Sequence, residues 1–225
     1  MPTHLYCLVP ARSELRLPPT IRLLVAGDVA AWVASSTASS LSRDAREVGR
    51  ATVEHDRVVS AALAQGVTPV PVSLADPYPD DSAASRDVAA HSAAIARALE
   101  RIRDLVEMTT IVTLTDAAPP ADAAGRGRAY LEQLQSQRAR IGAIADRIAA
   151  ELRTTAGDAR RRGDGSTAAL SHLIPRDAVE AYHDRVISLA GQGFRILIDG
   201  PRAPYSFTRF SPRQGILDDG TASAA

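Results

Sequence analysis

Glu54-His55-Asp56 sets two carboxylates beside an imidazole, and the chemistry open to such a trio is proton transfer or metal ligation. On a helix, however, consecutive residues point about 100° apart, so the three cannot converge on one small atom. Neither a His-x-x-x-His nor a His-x-x-Glu pair stands nearby to complete a site. His55 is therefore expected as a polar residue at the edge of a buried helical stripe, with catalysis the lesser reading. His91, His172 and His183 are scattered over different elements without metal-ligand spacing. Cys7 lies in an apolar run, where a small buried thiol is the ordinary outcome. Gly125-Arg126-Gly127-Arg128 precedes a helix and could cradle a phosphate, but it lacks the fuller glycine and lysine pattern of a P-loop; a hinge into a good helix start competes with it. Arg160-Arg161-Arg162 has no interleaved aromatics and is flanked by Asp158 and Asp164, so a solvated loop is expected in place of a nucleic-acid site. No residue is assigned to catalysis, a cofactor or a metal, and the chain is expected not to be an enzyme.

The elements that carry these residues follow from periodicity. HLYCLVP, IRLLVAG and VAAWVAS read as extended runs. Residues 43–64 place Val48, Ala51, His55, Val58 and Ala62 on one helical stripe that ends at Gly66. VTPVPVSL must be extended, and Pro69 and Pro71 each remove a ladder donor, which predicts a sheet edge and a docking template through Val70, Val72 and Leu74. The loop from Asp76 to Ser82 leads into one helix over about 83–104, capped by Asp81 or Ser82. MTTIVTL is rich in β-branched residues and reads as a strand. After a loop from Asp116 to Gly127 comes the longest helix, with Leu134, Ile141, Ala145, Ile148 and Leu152 on one side; internal packing is the default for that stripe. Residues 154–168 read as a flexible connection, LSHLIP as a strand, Pro175 to Ala190 as a helix and FRILIDG as the last strand. Trp32, the sole tryptophan, is expected in the core, with an interface the competing reading.

That last strand runs into FRILIDGPRAPYSF. Phe194, Ile196 and Ile198 share one face, Gly200 and Pro201 are expected to stop the strand, and Pro204 directs Tyr205, Ser206 and Phe207. The ending resembles the Gly-Pro-x-x-Pro-Tyr-Ser-Phe signature of the gas vesicle accessory proteins GvpF and GvpL. Other landmarks of that family occur in order. Glu54-His55-Asp56-Arg57-Val58 resembles its His-Glu-x-Val segment, with the acid before and after the histidine. Gly127-Arg128-Ala129-Tyr130-Leu131 resembles its Gly-Arg-Ala-Tyr-Leu helix start. Ser73-Leu74-Ala75 stands where relatives carry Arg-Phe-Gly, so no contact of that arginine or aromatic transfers. The family positions are thus His55, Gly127, Arg128, Tyr130, Gly200, Pro201, Pro204, Tyr205 and Phe207.

Composition agrees with a folded chain not built around charge. Its 26 basic residues, all arginine, balance 26 acids, leaving no global field for nucleic acid or anionic lipid. One cysteine allows no internal disulfide, no apolar run approaches the ~20 residues that span a bilayer, and the N-terminus lacks a secretion signal, so cytoplasmic residence is expected. The expected fold class is α+β in two domains, each a small mixed or antiparallel sheet with helices, the C-terminal one ferredoxin-like with a long helix. The boundaries are placed at 1–105, 106–210 and a flexible tail, 211–225. Tyr205 and Phe207 are expected to lock the second domain. The resemblance implies a non-enzymatic protein that binds the hydrophobic shell subunit and other vesicle accessory proteins, with no nucleic acid or membrane partner and no cofactor. The competing reading is an adaptor of the same fold that has left vesicle assembly.

Overall fold

The computed structural model describes residues 1–37, 42, 44–115, 127–153, 158–163 and 166–217, and for 127–130 and 158 the backbone alone. The chain divides into two compact units, one formed by Met1–Val106 with Arg202–Ala225, the other by Glu107–Pro201. The C-terminal segment, placed above with the second domain, is therefore part of the first unit.

The first unit centres on a four-stranded sheet in the order β2-β3-β1-β4, built from β1 (Thr3–Pro10), β2 (Arg22–Ala26), β3 (Val29–Ser35) and the short β4 (Val70–Pro71). β1, β2 and β3 pair antiparallel, and Gly27, at φ +64°, makes the tight β2–β3 turn that a side chain would resist. Six consecutive residues of β3, Val29–Ala34, are buried, because both faces of the sheet are covered. On one face Leu5, Leu8, Ala31 and Val33 meet Val88 of α2 (Asp81–Ala90) and Ile95 and Leu99 of α3 (Ser92–Arg101). On the other, Cys7, Val9 and Trp32 meet Val58, Val59 and Ala62 of α1 (Ala45–Leu63). Asp44 caps α1 through the N–H groups of Arg46 and Glu47, and Asp80, not Asp81 or Ser82, caps α2 through that of Ala83.

The single helix expected over 83–104 is two. They part at His91, whose ring nitrogen lies 2.9 Å from the Asp87 carbonyl that its own backbone N–H reaches only at 3.3 Å. The imidazole instead packs edge-on against Phe210, in the space left by Gly215, where a Cβ would lie 2.5 Å from the ring.

In the second unit β5 (Leu105–Leu114), α4 (Gly127–Leu152), β6 (Asp158–Gly163), β7 (Thr167–Pro175), α5 (Val179–Ser188) and β8 (Phe194–Arg202) follow one another. With sheet order β6-β7-β5-β8 this is the βαββαβ ferredoxin-like arrangement. Ile141, Ala145, Ile148 and Leu152 of α4 are buried, as their stripe predicts. Two expectations are corrected here. Arg160-Arg161-Arg162 is not loop but strand β6, paired antiparallel with β7 from Asp158↔Leu173 to Gly163↔Ala168. β8 does not stop at Gly200 but runs to Arg202, since it ends the sheet and Pro201 can occupy an edge strand without breaking a ladder.

Of the tail expected to be flexible over 211–225, residues 211–217 are folded. With the residues just before them they form a hairpin of β9 (Arg209–Ser211) and β10 (Gly215–Leu217). The loop expected from Asp116 lies mostly outside the described residues.

Candidate functional site

β1 does not alternate evenly. Its register against β3 slips between Leu5 and Cys7, so Tyr6 is an extra residue. The bulge sets both Tyr6 and Cys7 against the α1 side, while Leu5 and Leu8 keep the opposite core. His4 and Tyr6 are thereby brought to His55 of α1. His4 Nε2 and His55 Nδ1 are 3.1 Å apart, and the three rings pack with centroids 4.6–5.3 Å apart.

His55 is buried, 4% exposed, and not at the margin of its stripe. Burial first, then the neighbouring His4, push its pKa down to about 4, against a smaller opposing effect of the Val72 and Tyr6 carbonyls. Burial also lowers that of His4. Two neutral imidazoles can share one hydrogen bond only if one nitrogen donates and the other accepts. One of the two nitrogens, His4 Nε2 or His55 Nδ1, therefore donates to the other, while His55 Nε2 is buried without a hydrogen-bond partner. The pair is thus occupied with itself. Cys7 beneath it is fully buried and its thiol pKa is raised by burial, which makes it inert packing. Glu54 is exposed and held by Arg57, whose guanidinium lowers its pKa first through their hydrogen bond. Among the described residues, no three of His, Cys, Asp or Glu assemble as a metal-holding group.

His4 and Tyr6 form the floor of a groove of about 290 Å³. Its apolar wall is Leu74, Ala75 and Pro77, and Glu47, Ala51 and Glu54 of α1 stand opposite, with Ser35, Ser36 and Ser42 completing the rim. Leu74 is the one residue of the expected docking set that reaches it. Val70 and Val72 are 0% and 1% exposed, so they face the core and cannot meet a partner. Nor is the β4 side of the sheet open: Val72 bridges Phe210 in parallel, and the Ser73 N–H donates to the Phe210 carbonyl at 2.8 Å. The free end of this sheet is β2, where Leu23 and Val25 are exposed.

Of the remaining family positions, Gly200, Pro204, Tyr205 and Phe207 have packing roles. Pro204 and Phe207 are buried, and Tyr205 packs with Trp32 and Ala203 on the α1 side of the first unit's sheet. The expected lock therefore holds the first unit. Burial, together with Asp56 and Cys7, raises the Tyr205 pKa. At Gly200, φ is +123° and a Cβ would lie 2.7 Å from the Glu107 carbonyl, so only glycine fits, and Pro201 follows it in the exposed end of β8. Gly127, Arg128 and Tyr130 open α4, with their side chains outside the description; Gly125 and Arg126 lie outside the described residues. His172 and Tyr182 form a second buried polar pair, His172 Nδ1 2.8 Å from the tyrosine oxygen, which also meets Thr110 Oγ1 at 2.7 Å. Burial puts the His172 pKa at about 4 and that of Tyr182 at about 12. Neither side chain is accessible.

Fold and site together define a two-unit α+β chain whose second unit is ferredoxin-like and whose first carries a largely apolar groove. The family description "Gas vesicle synthesis protein GvpL/GvpF" matches residues 2–209, and the chain belongs to that family. Two crystal structures share its fold. The gas vesicle protein GvpF from Anabaena sp. PCC7120 is 14% identical with a TM-score of 0.72, covering 91% of this chain and 94% of that one. GvpF from Microcystis aeruginosa is 12% identical with a TM-score of 0.70, covering 91% and 98%. No curated protein matches the chain. Among the described residues no helix is long and apolar enough to cross a membrane.

Proposed function

We propose that this chain is a non-enzymatic accessory or minor structural protein of the gas vesicle, cytoplasmic and vesicle-associated. It binds the hydrophobic shell subunit and other vesicle proteins and assists nucleation and assembly. The observation that carries this reading is the family match over residues 2–209. The groove between β1, α1 and Leu74–Pro77 supplies the contact. Its apolar wall takes a hydrophobic side chain of the subunit, while Tyr6 and the serine rim exchange hydrogen bonds with its backbone.

Leu74→Glu places a charge on that wall without touching the buried core. Capture of the shell subunit by the purified full chain is expected to fall about tenfold or more, as for a central apolar anchor. Circular dichroism and thermal melting are expected to stay as in the parent. A folded L74E protein that captures the subunit undiminished would remove the groove from the reading. Failure of the parent protein to capture it at all would remove the binding role itself.

A further inference from the structure

The two outer strands of the first unit's sheet end differently. Beyond β4 the C-terminal hairpin closes the sheet through Val72 and Ser73. Beyond β2, among the described residues, nothing pairs. The hairpin turn decides which backbone groups are left over. Ala26 and Val29 flank a two-residue turn and bond to each other, so Arg22, Leu24 and Ala26 face β3. Leu23 and Val25 therefore turn their N–H and C=O outward. Leu24 and Ala26 pack into the core that α2 and α3 cover, which puts the side chains of Leu23 and Val25 on the opposite, α1 side of the sheet. There both are exposed, Val25 by 61%. The usual protections of an edge are missing: Leu23–Ala26 holds no charge and no proline, and its register with β3 is unbroken.

An edge without charge has nothing with which to select a charged segment, and this one is complementary to itself. Laid antiparallel on a second copy about Leu24, β2 sets Leu23 opposite Val25 of that copy, and Val25 opposite its Leu23. Each outward N–H then meets an outward C=O, and each exposed side chain meets an apolar one. Arg22, already paired with Asp81 of its own copy, falls opposite Ala26, so no like charges meet. Such a contact uses the same patch twice and closes on a two-fold axis. We infer that two copies of this chain associate through β2, making one sheet continuous across the pair. The contact lies apart from the groove between β1 and α1 and does not depend on what that groove binds.

The test uses the full chain and sedimentation velocity over a range of concentrations. The contact is small, so a dimer with a dissociation constant of about 10–100 μM is expected. Amides of Leu23 and Val25 should exchange more slowly at high concentration than at low. Leu23→Glu and Val25→Lys each place a charge against an apolar side chain and should weaken the dimer about tenfold or more. Mixing these two variants should restore it, because in the mixed pair the glutamate faces the lysine and the remaining valine faces the remaining leucine. Val53→Lys, at an exposed apolar residue of α1, should leave the dimer unchanged. Circular dichroism of each variant should match the parent. The inference is overturned if folded L23E dimerises as the parent does, if the mixture of variants stays monomeric, or if V53K weakens the dimer equally. It is also overturned if the parent is monomeric at about 1 mM. Slowing of the β2 amides by an added valine-threonine peptide in that case would make the edge a site for a foreign strand.

Discussion

His55 and His4 face one another between α1 and β1, and burial holds both imidazoles uncharged. A histidine whose folded pKa is about 4, against an ordinary value of 6.5, binds fewer protons folded than unfolded throughout that interval. Stability from this group is therefore complete above about pH 6.5 and is lost as pH falls toward about 4. Between about pH 7 and pH 5, where few carboxylates titrate, His55 should account for about 2 kcal/mol of the loss. By urea titration, the stability lost between pH 7 and pH 5 should be smaller in His55→Gln than in the parent by that amount; equal losses would exclude the assignment. The sequence marked His55 but not its partner. A period-two reading of β1 puts His4, Tyr6 and Leu8 on one face, and the bulge at Tyr6 that breaks this pattern has no glycine or proline to announce it. Val70 and Val72 were misplaced for a related reason: an edge inferred from prolines says nothing of a hairpin more than a hundred residues later that covers it.

Elements with a clean period were legible. β1, β2, β3, α1 and α4 lie where apolar spacing puts them, and β8 starts where it does, because each packs at least part of an apolar stripe inward. Those that were missed are decided by distant partners. β6 carries three arginines in succession and no apolar alternation, and it is a strand only because β7 pairs along its whole length. The break falls at His91, whose ring packs edge-on against Phe210, a partner more than a hundred residues away. Gly200 looks in sequence like a strand terminator, yet its role is to let β8 pass the Glu107 carbonyl and the Met108 sulfur, 2.7 and 2.9 Å from where a Cβ would sit. Gly200→Ala should accordingly cost about 2–3 kcal/mol through overpacking and a left-handed φ. The measurement is a lowered urea midpoint with unchanged m-value, and an alanine variant as stable as the parent would mean that β8 can shift aside.

At the scale of the molecule, the chain leaves its first unit at Val106, builds a contiguous second unit and returns at Arg202. The returning segment contributes to both faces of the first unit's sheet: Ala203 and Tyr205 pack on the α1 side, and Phe210 is fully buried among Leu8, Val72, Val88 and Ile95. The second unit needs nothing discontinuous, so a fragment of residues 107–201 should fold alone with a cooperative thermal transition. The first should not. A fragment of 1–106 lacks the strand that pairs with Val72 and Ser73 and leaves the Phe210 site open; losing that aromatic alone is worth about 3–5 kcal/mol, a large share of a small domain's stability. Joining 202–217 to 106 through a flexible linker should restore cooperative melting, and Phe210→Ala in the joined chain should abolish the gain. If 1–106 melted as cooperatively without the segment as with it, the returning chain would be decoration on a unit already complete, and the Pro-Tyr-Ser-Phe ending would need a role outside the core.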